Sequence, residues 1–382
     1  MRLARHSATL TRSPRFGVVA LAFALTSVGA AACGDRAKSV ADSAATPAVA
    51  TGPDDTLRAA VITDPVPNDS DDPAIWLDST GAIGSLILGT DKGDSTGGVF
   101  VFNLDGRLDS VRSQQPLRRM NNVDIVQGLT TNGGRIDIAV ATERGRQRLR
   151  IFRLPDMMPI DNGGIELFDG DTTRSPMGVS LYQRPSDGAV FAIVGGKSGP
   201  ADGYLWQYRL EDRGDGTIRG VKVRAFGRYS GKKEIEAIAV DDALGFVYYS
   251  DETVGIRKYH ADPDRSDANE ELALFATTGF VEDHEGMAIY PTSDSTGFLI
   301  ASDQQGQRIQ IFRREGEPGK PHEHRSMVTI PVSAMETDGL EVTSYPVSPR
   351  FPRGVLVMMS TDKRFHIFDW RDVEARIPGI AR

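Results

Sequence analysis

The sequence is poor in cysteine, with one in 382 residues, and carries only six histidines and three tryptophans. No disulfide can form within the chain, so its fold must be large enough to stand without staples. The single Cys33 follows an N-terminal apolar run and supplies no nucleophile to the remainder. No His-Glu-x-x-His helix is present, which removes the common helical zinc site. Excess positive charge is missing too: the net charge is −8, with no extended basic stripe and no base-stacking aromatic set. Nucleic acid is therefore not an expected partner. Helical periodicity is nearly absent and surfaces only at Val373-Glu374-Ala375-Arg376.

The one long apolar run is Phe16 to Ala32, preceded by Arg2, Arg5, Arg12 and Arg15 without an acid. A basic segment, an apolar segment and small residues before a break predict an export signal over residues 1–33. At 17 residues the run is marginal for crossing a hydrocarbon core of roughly 30 Å. Ala30-Ala31-Ala32-Cys33-Gly34 resembles a bacterial lipoprotein cleavage site, with Cys33 as the lipidated first residue. Ala30 stands where leucine is usual, which leaves plain secretion open beside an outer-membrane or periplasmic lipoprotein. The only expected contact with a membrane is that lipid anchor. Residues 34–56 are Ala, Asp, Ser, Thr and Pro with almost no large apolar side chain, the composition of a flexible tether.

What is abundant from residue 57 to 382 is punctuation. The whole chain has 40 glycines and 21 prolines, and here they bound short, often alternating apolar runs that predict strands. The runs repeat. A leading residue, acidic in five of the six cases, precedes a small apolar segment at Asp72, Asp124, Met177, Glu236, Glu285 and Asp338, with gaps of 52, 53, 59, 49 and 53. Each leader is followed by a second strand (Ser85–Thr90, Arg135–Thr142, Val190–Gly195, Gly245–Ser250, Gly297–Ser302, Gly354–Ser360) and a third. Segments such as Gly164–Phe168, Val221–Phe226, Glu271–Phe275 and His324–Pro331 supply a fourth. Six units of about 50 residues with four strands each predict an all-β, six-bladed β-propeller of four-stranded antiparallel blades. The sixth unit lacks its last strand after Trp370, and Ala59–Thr63 is expected to complete it and close the ring, hiding the free edge.

In such a ring the innermost strands line a channel, so residues at one phase meet on one rim. That phase collects Asp71, Asp72, Asp124, Glu236, Asp283, Glu285 and Asp338. A single acid at a strand start is an ordinary solvated turn residue. Several brought together repel and raise each other's pKa unless a cation lies among them. Oxygen ligands without histidine or thiolate suit a hard cation, Ca2+ before Mg2+. A second register follows strand two: Lys92, Arg144 and Lys197, and then Glu252 and Gln304 at the same place. Three cations facing a carboxylate cluster point to a phosphate-bearing small molecule bound partly through metal. Gly93–Gly98 is glycine-rich but lies between two strands, and reads as a hairpin loop. His322-Glu323-His324 sits in a Gly/Pro-rich loop and reads as incidental.

Asp71-Asp72-Pro73-Ala74-Ile75-Trp76, Asn121-Asn122-Val123-Asp124, Val223-Arg224-Ala225-Phe226 and Thr337-Asp338-Gly339 resemble, in this order, the β-propeller phytases of bacteria. The resemblance runs from about Ala59 to Trp370. It implies a monomeric calcium-dependent 3-phytase that releases phosphate from calcium phytate by attack of water activated between several Ca2+ ions. It also implies roles. Lys92, Arg144 and Lys197 would bind phosphate. Glu236, Glu252, Asp283, Glu285 and Gln304 would hold the active-site calcium and water, with Asp71, Asp72, Asn121, Asp124 and Asp338 as further site or calcium residues. Gly93 replaces a second lysine, Met177 a rim tyrosine and Val332 an acid, and the last-blade cluster is poorly kept at Ser360-Thr361-Asp362. A propeller lactonase or esterase would need one calcium and no cation triad. A non-catalytic binding propeller would show rim aromatics in place of clustered acids.

Overall fold

Short apolar runs cut by Gly, Asp and Asn build six antiparallel sheets of four strands in the computed structural model, which describes residues 55–81 and 83–380. The expected export signal with Cys33, and the tether apart from Asp55 and Thr56, lie outside the described residues. The first blade is Ser70–Trp76, Leu86–Asp91, Gly97–Asn103 and Leu108–Leu117. The second is Met120–Thr131, Gly134–Glu143, Arg148–Leu154 and Ile165–Glu166, with an extra short strand at Met158–Pro159. Pro176–Gln183, Val190–Gly196, Asp202–Asp212 and Ile218–Arg228 form the third. The fourth is Ile238–Asp241, Phe246–Asp251, Gly255–His260 and Ala273–Phe275. Met287–Pro291, Gly297–Asp303, Arg308–Arg313 and Ser326–Pro331 make the fifth. Leu340–Thr343, Val355–Ser360 and Arg364–Asp369 begin the sixth.

The sixth blade is completed from the other end of the domain. Val61–Ile62 pairs antiparallel with Ile367 and His366, and Ala60 N and Thr63 N donate to Ile367 O (2.8 Å) and Phe365 O (3.0 Å). The innermost strand of the sixth blade also lies against Ser70–Trp76 of the first, so the ring is closed twice. The architecture is the expected six-bladed propeller.

The core is divided among the blades. Six apolar clusters each sit between two neighbouring sheets. One joins the last blade to the first through Ile87, Phe100, Phe102, Val357 and Phe365. A strand packed on both faces needs apolar residues at every position, which is why Leu86–Asp91 and Val355–Ser360 are buried throughout. Each fully buried Leu, Val or Phe side chain contributes about 1.5–3 kcal/mol, so stability accumulates joint by joint. The outermost strand Leu108–Leu117 is mostly exposed and polar, and leaves little hydrophobic signal.

The helical residues near the C-terminus begin earlier than the sequence pattern predicts. The helix is Trp370–Glu374, its first turn capped by Asp369, whose side chain accepts from Arg371 N. Trp370 is buried and stacks on Tyr290 at 3.7 Å between ring centroids. Gly93-Asp94-Ser95-Thr96-Gly97 spells Gly-x-Ser-x-Gly, yet it turns from one strand directly into the next. A nucleophile elbow requires a strand-to-helix turn, so this serine has no such role.

Candidate functional site

Two recurring structural devices place side chains on one rim. In the first three blades the innermost strand carries a bulge near its start, between Ser70 and Pro73, Met120 and Val123, and Pro176 and Val179. Bulges turn side chains out of the pleat, and here they re-aim Asp71, Asn121 and Met177. In the other three, Glu236, Glu285 and Asp338 stand just before the strand begins. Because strand two runs antiparallel to strand one, its last residues reach the same rim. Lys92, Arg144, Lys197, Glu252 and Gln304 each follow the last residue of a second strand.

In four of these five cases the residue immediately before is an acid that fixes a loop. Asp91, Glu143, Asp251 and Asp303 each accept the backbone N–H of the loop leading to an innermost strand, from Asn68 (2.9 Å), Arg118 (2.9 Å), Ser230 (3.0 Å) and Val281 (3.0 Å). These acids fix the loops, while their neighbours face the rim.

The rim acids come together in two overlapping groups. One oxygen each of Glu252, Asp283 and Glu285 lie within 4.8 Å of one another, and so do oxygens of Glu234, Glu236 and Glu252. Many of these oxygens have no donor. Both oxygens of Asp71 and of Glu252, with Asp283 Oδ1 and Glu285 Oε2, are buried without a hydrogen bond, as is Asn121 Oδ1. An orphaned buried acceptor costs about 1–3 kcal/mol, more when charged, so several together are sustained only by a positive partner or by protons. Burial pushes Glu252 up to about 8, helped by Glu234, and Asp71 to about 7 against the opposing pull of Lys92. Glu236 and Glu285 also lie well above the usual carboxylate range, through burial first and then their acidic neighbours. The donor set, all oxygen and rich in carboxylate, fits a hard divalent cation.

Cations and amides knit this cluster together. Lys92 Nζ sits 2.5 Å from Asp338 Oδ2 and 3.3 Å from Asp71 Oδ1. Burial alone would lower its pKa, but Asp71, Asp338 and Glu236 raise it, so it stays charged. Asn121 Nδ2 donates to Glu236 Oε1 (2.7 Å), and Gln304 Nε2 to Asp338 Oδ1 (2.6 Å). Lys197 Nζ pairs with Glu234 Oε2 at 2.9 Å. Arg144, half-buried, has no side-chain partner among the described residues and keeps its fork free.

Asp72 and Asp124 are placed one layer deeper and enter neither acid group. Asp72 Oδ2 accepts from Val123 N of the second blade (3.0 Å). Asp124 Oδ2 accepts from Leu181 N of the third (2.7 Å) and from Ser180 Oγ (3.1 Å). Both latch one innermost strand to the next. With Asp242 and Glu341 they line the central channel, a cavity of about 370 Å3 that also touches Glu285.

The residues missed in the sequence are Lys233, Glu234 and Gln305. Lys233 Nζ lies 2.5 Å from Asp283 Oδ2 and 3.5 Å from Glu252 Oε2, and Gln305 Nε2 donates to Asp283 Oδ2 (2.7 Å). Lys233 and Glu234 directly precede Ile235-Glu236 on a loop where no repeating register marks them.

A family model described as Phytase matches residues 16–366. The chain belongs to the phytase family. It is 27% identical over 338 residues to the 3-phytase of Bacillus subtilis (strain 168), covering 81% of this chain and 82% of that protein. Among solved structures, one of streptogramin B lyase superposes with a TM-score of 0.43 at 11% identity, covering 81% of this chain and 86% of that one. Where the sequence departs from the phytase-family pattern, the structure shows what the replacements do. Met177 is buried, and its carbonyl accepts from Thr142 Oγ1 (2.7 Å). Val332 is buried in the joint between the last two blades, beside Leu57. Asp362 pairs with His366 Nε2 at 3.5 Å.

Proposed function

We propose that this phytase-family protein hydrolyses phosphate monoesters of the phytate type at the rim, in a calcium-dependent reaction. The observation that carries the reading is the set of oxygens on Asp71, Glu252, Asp283 and Glu285 that lack a donor among the described residues, with Lys92 and Lys197 paired to acids beside them and Arg144 at the matching place after its second strand. Glu236, Glu252, Asp283 and Glu285 would hold the ions, with Asn121 orienting Glu236 and Gln304 orienting Asp338 through hydrogen bonds. Bound there, calcium would screen phosphate charge and acidify a water for in-line attack on phosphorus.

The chain's own residues supply the rest. The free guanidinium of Arg144 offers two parallel donors to a phosphate, a fit that the Lys92 and Lys197 ammonium groups complement as point charges. These cations would face the equatorial oxygens of a bound phosphate, where charge is spread in phosphoryl transfer, and so would stabilise the transition state by position. Asp338 and Asp71 hold Lys92 charged and aimed. The six-carbon ring of phytate presents several phosphates at once, which suits a broad rim better than a closed pocket. The N-terminal signal pattern with Cys33 supports export, by lipid anchor or secretion; cell fractionation with a Cys33→Ala variant tests it, and wild-type protein retained in the cytoplasm overturns it.

The deciding experiment measures phosphate release from phytate by the purified protein with calcium and with chelator. Activity is expected with calcium alone, and Glu252→Gln or Glu285→Gln should depress turnover. No release near neutral pH, or release indifferent to chelator, sinks the reading.

A further inference from the structure

Lys233 is a cation set into the centre of an acidic group. Its Nζ lies 2.5 Å from Asp283 Oδ2 and 3.5 Å from Glu252 Oε2, two of the three carboxylates that converge within 4.8 Å. Even so it leaves that group unsatisfied: both Glu252 oxygens, Asp283 Oδ1 and Glu285 Oε2 still lack a donor. One monovalent ammonium is a poor match for three buried carboxylates.

Its backbone and its side chain are held differently. The Lys233 carbonyl accepts from the Tyr229 hydroxyl, and Tyr229 in turn packs on Tyr204 at 4.2 Å between ring centroids. The side chain beyond that anchor is 42% exposed on a four-carbon stem. The ammonium can swing while the loop stays in place. Lys92 and Lys197 on the same rim are also paired with acids, at Asp71 and Asp338 or at Glu234.

We propose that Lys233 is a further substrate-contact residue, held on Glu252 and Asp283 in the ion-free protein and transferred to a substrate phosphate when a divalent cation takes those carboxylates. The inference rests on the calcium-dependent reading above. It makes Lys233 both an internal competitor of the metal and, once displaced, a fourth cation beside Lys92, Arg144 and Lys197. Metal loading and the arming of a phosphate contact become one event.

The test compares wild type with Lys233→Met by isothermal titration, first with calcium alone and then with inorganic phosphate on calcium-saturated protein. Removing a half-exposed competing ion pair should tighten calcium by about two- to fivefold. Removing a charged donor should weaken phosphate by about tenfold. Lys233→Gln serves in the same way should the Met variant not fold. Calcium affinity that is unchanged or weaker in the variant overturns the proposal, and so does unchanged phosphate affinity. Wild-type protein that binds no calcium at all is a different result, because it removes the metal reading on which the proposal stands.

Discussion

A methyl group on Gly178 would lie 1.8 Å from the carbonyl oxygen of Glu236, which is backbone and cannot step aside. Gly339 is as tightly confined, its added Cβ falling 2.2 Å from Asp72 Oδ1. These contacts seat the acid-bearing start of one innermost strand on its neighbour, so Gly178→Ala should cost about 1–3 kcal/mol through overpacking and displace Glu236. A calorimetric melting temperature equal to wild type, with unchanged turnover, would contradict it. Arg144→Ala is a cleaner probe, since among the described residues its side chain makes no hydrogen bond or ion pair whose loss would disturb the fold. It should leave melting unchanged and lower kcat/KM by about 3 kcal/mol, as loss of a preorganised charge-stabilising donor does. Full activity in Arg144→Ala would remove that residue from the site. Among the candidate residues, the acids at strand starts and the cations after strand two were legible because one register repeats. Lys233 was not, since it lies on a loop where no period marks it.

At the scale of the strand, the weak point is the edge of the last blade. Arg364–Asp369 would present open N–H and C=O groups if Val61–Ile62 were absent. Leu57 also packs into the joint between the fifth and sixth blades. Deleting the chain through Thr63 should therefore lower the melting temperature and promote aggregation, read by thermal unfolding with light scattering. A truncated protein that melts like wild type and stays monodisperse would show that the closing strand is dispensable. The middle strands could be read from sequence to within a residue or two, because burial on both faces demands unbroken apolar runs. Leu108–Leu117 could not, because an outer strand is held by backbone bonds and little else.

Over the whole molecule, the rim acids link stability to pH and calcium. Glu252, ordinarily at 4.5, lies at about 8 in the folded protein, and Asp71 moves from 3.8 to about 7, burial being the main cause for both. Between those limits the folded state holds more protons than the unfolded, so in chelator stability should fall as pH rises from about 4 to 8. Calcium bound there, as proposed, would take the ionised form and reverse the trend, binding more tightly as pH rises and releasing protons. A hundredfold excess over its dissociation constant adds about 2.7 kcal/mol by mass action. Melting temperatures with chelator and with calcium at pH 5 and pH 8 check this, and a chelator curve that rises with pH would refute it.

The sequence by itself determined the number of blades, their order, the closing strand and the register that gathers acids and cations on one rim. It could do so because a propeller repeats one local pattern, and period survives in sequence. Only the tertiary structure decided which acids do what. Asp71 and Asp72 are adjacent, yet a bulge turns Asp71 to the rim beside Lys92 and leaves Asp72 accepting Val123 N inside the channel. Asp251 and Glu252 are likewise split between holding a loop and joining a carboxylate group that could hold a metal ion. Neighbouring residues on a strand point to opposite faces, and a bulge shifts that alternation by one. Whether a carboxylate meets a backbone N–H, a lysine or another carboxylate depends on the blade next to it, which lies some fifty residues away in the chain.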